Sequence, residues 1–520
     1  SKFKGFRKLI EEEYRLRTFT CHRCDNNCTI SRLEIPGEPS TFYGSRCDLY
    51  DSTVSHARKQ TAFDEREQLL FAGYNESASG SPVVGVPRAH MINYFAPLFI
   101  GFLNSLGAKI VFSRRTNRQV IEQAVELSYT DSCFPIKLLH GHAATLKDTD
   151  FLLFPSALRL GEREGDENQK YACPLVQASP FLVREALKLH KKLLIPFIDF
   201  SMGDKVVIVN LTKVAQKMGF SKKKGKVAAL AGLESQRAFE REREKRGREI
   251  LQRIREEGRI GVVILSRAYM AQDSGANLGI AEQLVHLGVE PIPLDFLPLS
   301  TVDVRQYTDR PYWAYESKLI AGAAITAADP HLYGLILTNF GCGPNSFVLN
   351  IVKDITGTKP LGHLEIDEHA AEAGIVTRLE AFVDTIKSFD RAGKFRPQSK
   401  PIYRCASMLN NSKGILLLPR MCPHAEVLAA AMQAFGVEAY ALPPANEKNL
   451  LYANRYTSGQ ECLPYRVTLG DFLRLYHENG LGIDLKRVEG FMAGAFGPCR
   501  LGKYALEQGV ILREIGFDLP

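Results

Sequence analysis

Eleven cysteines open the question of chemistry. Near the start, Cys21, Cys24 and Cys28 form a C-x2-C-x3-C set, and Cys47 follows after 18 intervening residues. Four thiolates around a short polar loop (Asp25, Asn26, Asn27) suit one shared metal site. Structural zinc and a 4Fe-4S cluster take the same ligands, so both stay open at this point. Further on, Cys133-Phe134-Pro135-Ile136-Lys137 and Cys462-Leu463-Pro464-Tyr465-Arg466 repeat one C-x-P-x-basic pattern. Each has an acid upstream, Asp131 and Glu461. Cys173 follows Cys133 by 40 residues and is joined to Pro174; Cys499 follows Cys462 by 37 and is joined to Pro498. Cys342 lies in Asn339-Phe340-Gly341-Cys342-Gly343-Pro344.

Proline suits the first helical turn, so a cysteine just before it is expected at a helix N-terminus. The helix dipole there favours a thiolate, the form that ligates metal. Cys342 and Cys499 each follow an expected strand, 335–340 and 491–496. Sites in open α/β sheets lie beyond the carboxyl ends of strands. Glycines beside Cys342 would let backbone approach a bulky cluster. Any one of these thiols alone reads as an inert core residue. The repetition argues instead for ligation. Three thiolates on separate loops (Cys133, Cys173, Cys342) suit an iron–sulfur cluster with an open iron; zinc is the alternative. Cys462 and Cys499, with Cys422 on the loop after Pro419-Arg420, form a matching set. Cys405 precedes that strand and reads as structural.

The elements that must position these loops recur three times. Apolar runs at 83–86, 262–265 and 415–418 each lead into a residue pair ending in arginine (Arg88, Arg267, Arg420). Such runs fit strands buried on both faces. A helical stretch follows each run and stops at Gly107, Gly288 or Gly436. A second strand then begins, at 109–113, 289–294 and 437–442. Strand, helix and strand in a short span give a parallel βαβ unit. The fold class is therefore α/β, with repeated Rossmann-like (flavodoxin-like) parallel-sheet domains and a small N-terminal Cys-rich segment. The expected divisions are 1–75 (N-terminal helix and four-Cys segment), 76–220 (first unit), 221–258 (charged bridging helix), 259–395 (second unit) and 396–520 (third unit). The bridging helix is expected to be solvated, with Phe239, Arg243, Arg246, Ile250 and Ile254 near one face. Residues 391–401 read as a linker.

Composition narrows the function classes. Apolar residues make up 45% and charged residues 24%, ordinary globular usage. The net charge of +8 is mild, with glutamate interleaved among the lysines and arginines, so nucleic acid is not expected as a partner. No run approaches the ~18 apolar residues that span a bilayer. A cytoplasmic protein with no membrane partner is the expectation. His140 and His142 stand at i, i+2 and do not share a helical face, which argues against a metal pair. Asp367-Glu368-His369 precedes a helical run and reads as capping and interdomain bonding. The strand-end arginines suit phosphate binding, tuning of a cluster potential, or salt bridges. Serine-hydrolase and kinase motifs are absent.

Several stretches taken together resemble the long acyl-CoA dehydratase activases (CoA-substrate-specific enzyme activases) of anaerobes. They are DSCFPIKLLHGH at 131–142, YACPLVQASP at 171–180, TNFGCGPNSF at 338–347, EIDEHAAEAGIVTRLEAF at 365–382 and FGPCRLGKY at 496–504. The resemblance also takes in CHRCDNNC and Cys47, and covers nearly the whole chain. It extends to the 2-hydroxyacyl-CoA dehydratase subunits and the double-cubane cluster protein. It implies oxygen-sensitive 4Fe-4S or double-cubane clusters in Rossmann-like domains. It also implies an actin/acetate-kinase-type ATPase activase, fused or separate, that drives low-potential electrons into them. The electrons would pass to a small-molecule or acyl-CoA substrate; a homodimer is one candidate assembly, and the sequence leaves the oligomeric state open. The chain departs from the family in lacking a Walker loop and the actin-type phosphate stretch, so a detached subunit or a fragment is expected. A third unit ending at Leu519-Pro520 suggests a missing C-terminal ligand. The alternative function is a non-catalytic scaffold with one structural zinc at Cys21–Cys47.

Overall fold

The structure is a computed structural model that describes residues 14–21, 27–36, 40–44, 50, 60–161, 170–190, 192–393, 414–495 and 497–517. Three parallel sheets carry the chain. The first runs in the order Lys109–Phe112, Val83–Val86, Phe151–Leu153, Leu193–Leu194. The second runs Glu290–Pro293, Gly261–Leu265, Leu332–Thr338, Leu361–Glu365. The third runs Ala439–Ala441, Ile415–Leu418, Val488–Gly490. In each, the first strand in sequence lies between the second and the third, which is the flavodoxin-like order. A topological switch point therefore opens beyond the carboxyl ends of the first and third strands of every unit. All residues of Gly261–Leu265 and Leu332–Thr338 are buried, as helices on both faces of a parallel sheet require.

The expected helix stops hold. Gly107, Gly288 and Gly436 have φ of 75°, 81° and 83°, the left-handed cap that glycine adopts at little cost. One strand is displaced. The third strand of the last unit is Val488–Gly490, upstream of the expected 491–496. Residues 491–495 are irregular; their glycine and alanines give a sheet little side chain to pack. The N-terminal described residues form a small antiparallel sheet, Arg15–Thr20, Thr29–Glu34 and Thr41–Tyr43, whose first strand is fully exposed.

The bridging helix is Lys222–Glu256, about 52 Å long at the standard rise. It is not a solvated strut. Gly225, Ala228, Ala229, Gly232, Leu233, Gln236 and Phe239 are buried along its first half. Small residues bring it close to the helix Ile92–Leu106: a Cβ on Gly232 would stand 2.5 Å from the Leu98 carbonyl oxygen. Ile250, Leu251 and Ile254 then join the core of the second unit. Gly247 presses on Phe296, where an added Cβ would meet the carbonyl oxygen at 2.0 Å. One helix thus packs on units one and two. A second clamp comes from the helix Ala62–Leu70, whose fully buried Arg66 forks onto Asp295 at 2.7–2.9 Å.

Units two and three meet through aromatic rings and one buried ion pair. Phe347 packs against Tyr465 and Tyr504, with centroids 5.1 and 6.0 Å apart. Lys503 Nζ donates to Glu316 Oε1 and to the Arg310 carbonyl. Lys503 and Glu316 side chains are 1% and 0% exposed.

Candidate thiol site

Four of the singled-out cysteines occupy one local geometry. Cys133, Cys173 and Cys462 are the N-caps of the helices Phe134–Ala144, Pro174–Ala186 and Leu463–Glu478, and Cys499 caps the short turn Arg500–Lys503. Their φ, ψ values are −62°, 151°; −61°, 150°; −64°, 147°; and −73°, 140°. A proline in the first turn of each of the three helices suits this entry; Cys173 directly precedes its proline and is held extended by it as well. None of the four uses its side chain to cap the helix. Each thiol is left for other work.

Cys342 arrives from the second unit, just past the strand Leu332–Thr338. Its N–H donates to the Asn339 carbonyl at 3.1 Å and its carbonyl accepts from Ser346 N–H at 3.2 Å. Gly341 before it has φ of 68°, a turn that suits glycine. The thiol is 8% exposed.

Cys133, Cys173 and Cys342 act electrostatically on one another and on Arg267. Burial pushes the Cys133 thiol up, and the charges of Cys173 and Cys342 push it further. Burial also raises Cys173, with Cys342 adding to it. Arg267, 5% exposed, keeps its charge: burial opposes, and Cys342, Tyr269, Cys173 and Cys133 outweigh it. Three thiolates within electrostatic reach of one another repel, and a single guanidinium cannot neutralise them. The chemistry of this donor set fits a soft, polycationic group. Among the described residues no three His, Cys, Asp or Glu side chains stand close enough to hold a single metal ion. A cubane spreads its thiolates wider than one tetrahedral ion does.

The wall of the site belongs to all three units. Tyr171 N–H donates to the Tyr312 carbonyl at 2.8 Å, and Ala314 N–H donates back to Tyr171 at 2.9 Å. Trp313 Nε1 donates to the Pro498 carbonyl at 3.0 Å, and Tyr312 Oη to the Cys499 carbonyl at 2.7 Å. Segments 171–173, 312–314 and 498–499 are therefore stitched together. Arg500 lies on the backbone beside Cys342: a Cβ on Gly343 would be 3.2 Å from its guanidinium carbon. The second thiol group thus abuts the first. Within it, Cys462 Sγ lies 2.5 Å from Tyr504 Oη. Burial raises the Tyr504 phenol, and the contact with Cys462 and the charges of Cys462 and Cys499 raise it further.

Other expected residues fall elsewhere. Cys422 is exposed, with Sγ 2.9 Å from His424 Nδ1; no described contact joins it to Cys462 or Cys499. Cys21 N–H donates to the Cys28 carbonyl at 2.8 Å, while Cys24, Cys47 and Cys405 lie outside the described residues. His142 is neither a cap nor open to a substrate. It is buried between Ser113 Oγ (2.8 Å) and Thr116 Oγ1 (2.9 Å), and Thr116 reaches Asp273 at 2.5 Å. His140 Nδ1 bonds the Ile136 carbonyl in its own helix. Glu368 does bond across units, accepting from Lys137 Nζ. Arg88 pairs with Glu67 and Arg420 with Glu426, so of the three strand-end arginines Arg267 stands among thiols.

Sequence reasoning missed Tyr269, Tyr504 and His90. His90 is 3% exposed, has φ of 54°, and stacks on Tyr269 at 4.9 Å with no partner for either ring nitrogen. Burial holds its pKa down to about 3. Its place two residues past the strand-end Pro87-Arg88 was the available signal.

Residues 83–297 match the family described as the CoA enzyme activase uncharacterised domain (DUF2229). No curated protein matches the chain. Among solved structures, glucosamine-6-phosphate deaminase from Thermotoga maritima is similar at 9% identity and TM-score 0.17, over 65% of this chain and 96% of that one. The C-terminal domain of glucosamine-fructose-6-phosphate aminotransferase from Francisella tularensis is similar at 13% identity and TM-score 0.17, over 62% and 88%. Likeness at that level bears on neither fold nor chemistry. Among the described residues no helix is long and apolar enough to cross a membrane. The matched stretch runs from the first strand of unit one to just past the second strand of unit two, and it relates the chain to the CoA enzyme activases.

Proposed function

We propose that the chain is an iron–sulfur redox protein. It accepts low-potential electrons from an ATP-dependent activase and passes them to a small-molecule or CoA-thioester substrate. The observation that carries this reading is the gathering of Cys133, Cys173 and Cys342 from two units around the buried Arg267. Burial disfavours the thiolate at Cys133 and Cys173, which makes these two thiols poor nucleophiles as they stand. A cationic cluster reverses that balance, and thiolate ligation then follows. Bound there, a 4Fe-4S cluster would supply one-electron transfer, and three protein ligands would leave one iron open.

The chain's own residues do the rest. Cys133 and Cys173 present sulfur at helix N-termini, where the dipole favours negative charge. Arg267 holds a positive charge against the thiolates and favours the more reduced, more negative state. The glycines flanking Cys342 keep side chains out of the space beside it. Cys462 and Cys499, next to Arg500, are the second ligand set in this reading, with Tyr504 Oη beside Cys462 Sγ. The partner in this reading is an actin/acetate-kinase-type ATPase. Cys21, Cys24, Cys28 and Cys47 hold a separate zinc or 4Fe-4S centre.

The test is iron and acid-labile sulfide in anaerobically purified chain. Eight or so irons per chain, falling by about half in Cys342→Ser with the circular dichroism unchanged, is the expected result. Zinc alone, at one atom per chain, overturns the reading and leaves a scaffold.

A further inference from the structure

A cavity of about 10 Å3, the space of one water-sized occupant, opens between units one and two. It lies at the carboxyl ends of the strands Gly261–Leu265 and Glu290–Pro293, where Ser266 and Pro293 line it. Its other polar walls are Tyr94, Gln272, Asp295, Tyr315 and Lys318. None of these is a residue of the thiol site, although Arg267 stands over the Tyr315 ring at 5.8 Å.

The hydrogen-bond inventory of the cavity is lopsided. Lys318 Nζ donates to Tyr94 Oη at 2.9 Å. An ammonium has three N–H groups; Nζ also stands 4.3 Å from the Tyr94 ring centroid and 5.3 Å from that of Tyr315, so the other two meet ring faces and no further oxygen acceptor among the described residues. Tyr94 accepts from Lys318 and still has its own O–H to give. Tyr315, 8% exposed, has a buried Oη with no hydrogen-bond partner among the described residues. The one carboxylate on the wall, Asp295, is already spoken for by the Arg66 fork at 2.7–2.9 Å and by Arg243 at 3.5 Å. Charge is lopsided in the same sense. Arg66, Arg243 and Lys318 face one buried carboxylate, and Lys318 makes no ion pair among the described residues. The other acids acting on this group, Glu240 and Glu244, act on Arg243. Glu244 is 3.7 Å from it and largely exposed. A water would fill the space and leave the Lys318 charge faced by two ring faces and by a carboxylate already shared with Arg66 and Arg243. An anion would accept from Lys318, Tyr315 and Tyr94 at once and supply the missing charge.

We infer that this cavity is a small-anion site, selective for a halide or an anion of like size, held by Lys318 Nζ and Tyr315 Oη. Bulky anions are excluded by volume. The inference does not depend on iron or on any cluster, because it rests on protein donors alone.

The test uses the full chain and bromide as the probe. Crystals grown in sodium bromide are measured at the bromine absorption edge, and melting is followed at constant ionic strength with bromide exchanged against gluconate, which is too large to enter. The expected result is one anomalous peak within hydrogen-bonding distance of Lys318 Nζ and Tyr315 Oη. A saturable rise in melting temperature of roughly 2 °C accompanies it. Lys318→Met abolishes both signals. Tyr315→Phe, a milder change that keeps the ring, weakens the bromide midpoint by about tenfold. An ordered water with no anomalous signal overturns the inference, as does a bromide effect that does not saturate or that survives in Tyr315→Phe unchanged. Each outcome is independent of iron content.

Discussion

Lys503→Met is the sharpest probe of how unit three is held to unit two. The wild-type pair is dry, with Lys503 1% and Glu316 0% exposed. Burial raises the Glu316 carboxyl, and Lys503 works against that rise. Methionine conserves the stem and removes the ammonium, so packing changes little. What is left is a buried carboxylate without its cation, a loss of about 3–5 kcal/mol. The chain has several domains, so a single unfolding free energy is not well defined. Hydrogen exchange of the backbone in 497–517 and 310–317 reads the local opening instead. A cost of 3–5 kcal/mol corresponds to roughly a hundred- to several-thousand-fold faster exchange in these peptides. The sign with pH follows from the direction of the shift. Glu316's folded pKa lies above its unfolded value, so the stability of its protonated form is present at low pH and lost as pH rises through the folded pKa. Removing Lys503 lifts that pKa further, so the variant approaches wild type in acid and diverges from it toward neutral pH. Adding Glu316→Gln to the variant should recover most of the protection. Exchange in Lys503→Met within threefold of wild type at neutral pH refutes the reasoning, as does a double variant no better than the single.

Three further outcomes are expected. Glu507, 3% exposed, is pushed up to about 8 by burial, so the folded chain loses stability between about pH 4.5 and 8. Glu507→Gln should flatten that slope, worth ~1.4 kcal/mol per pH unit at most, in melting curves taken across the range. Gly247→Ala places a Cβ on the Phe296 carbonyl and should cost about 3 kcal/mol or more in thermal melts, because a backbone atom cannot step aside. Gly374→Ala is the opposite case: the position lies within the helix Glu372–Arg391 with nothing within 4 Å, and the change should stabilise by about 0.5–1 kcal/mol.

The first strand of each unit was legible because a strand covered on both faces has one sequence solution, a short apolar run. Gly107, Gly288 and Gly436 marked helix ends because few other residues take their φ cheaply. The cysteines at helix starts were legible through the neighbouring proline. The strand Val488–Gly490 was not, because it carries Glu489 and Gly490 and has no apolar run of its own. The bridging helix was misjudged from its charges. Its contact face is written in small residues, Gly225, Ala228, Ala229 and Gly232, which hydropathy barely registers. The surroundings of the thiols were beyond sequence reach for another reason. Tyr269, Tyr312, Trp313 and Tyr504 come from segments far from Cys133 and Cys173, and only the docking of three sheets brings them together.

The threading of Tyr171 to Tyr312 and of Trp313 to Pro498 also fixes an order of events as the chain acquires its structure. Cys133 and Cys173 belong to one unit and lie 40 residues apart, whereas Cys342 lies 169 residues past Cys173. Long loops close late, since the entropy lost in closing them is repaid only once distant contacts form. The first two thiols can therefore be neighbours while the third is still remote. In that interval they are open to water, to oxidants and to each other. Only when the helix Lys222–Glu256 has laid unit two against unit one can the buried Cys342 and Arg267 join them. The finished fold leaves Cys133 and Cys173 part of their surface and buries Cys342, so the three thiols differ in access before and after docking.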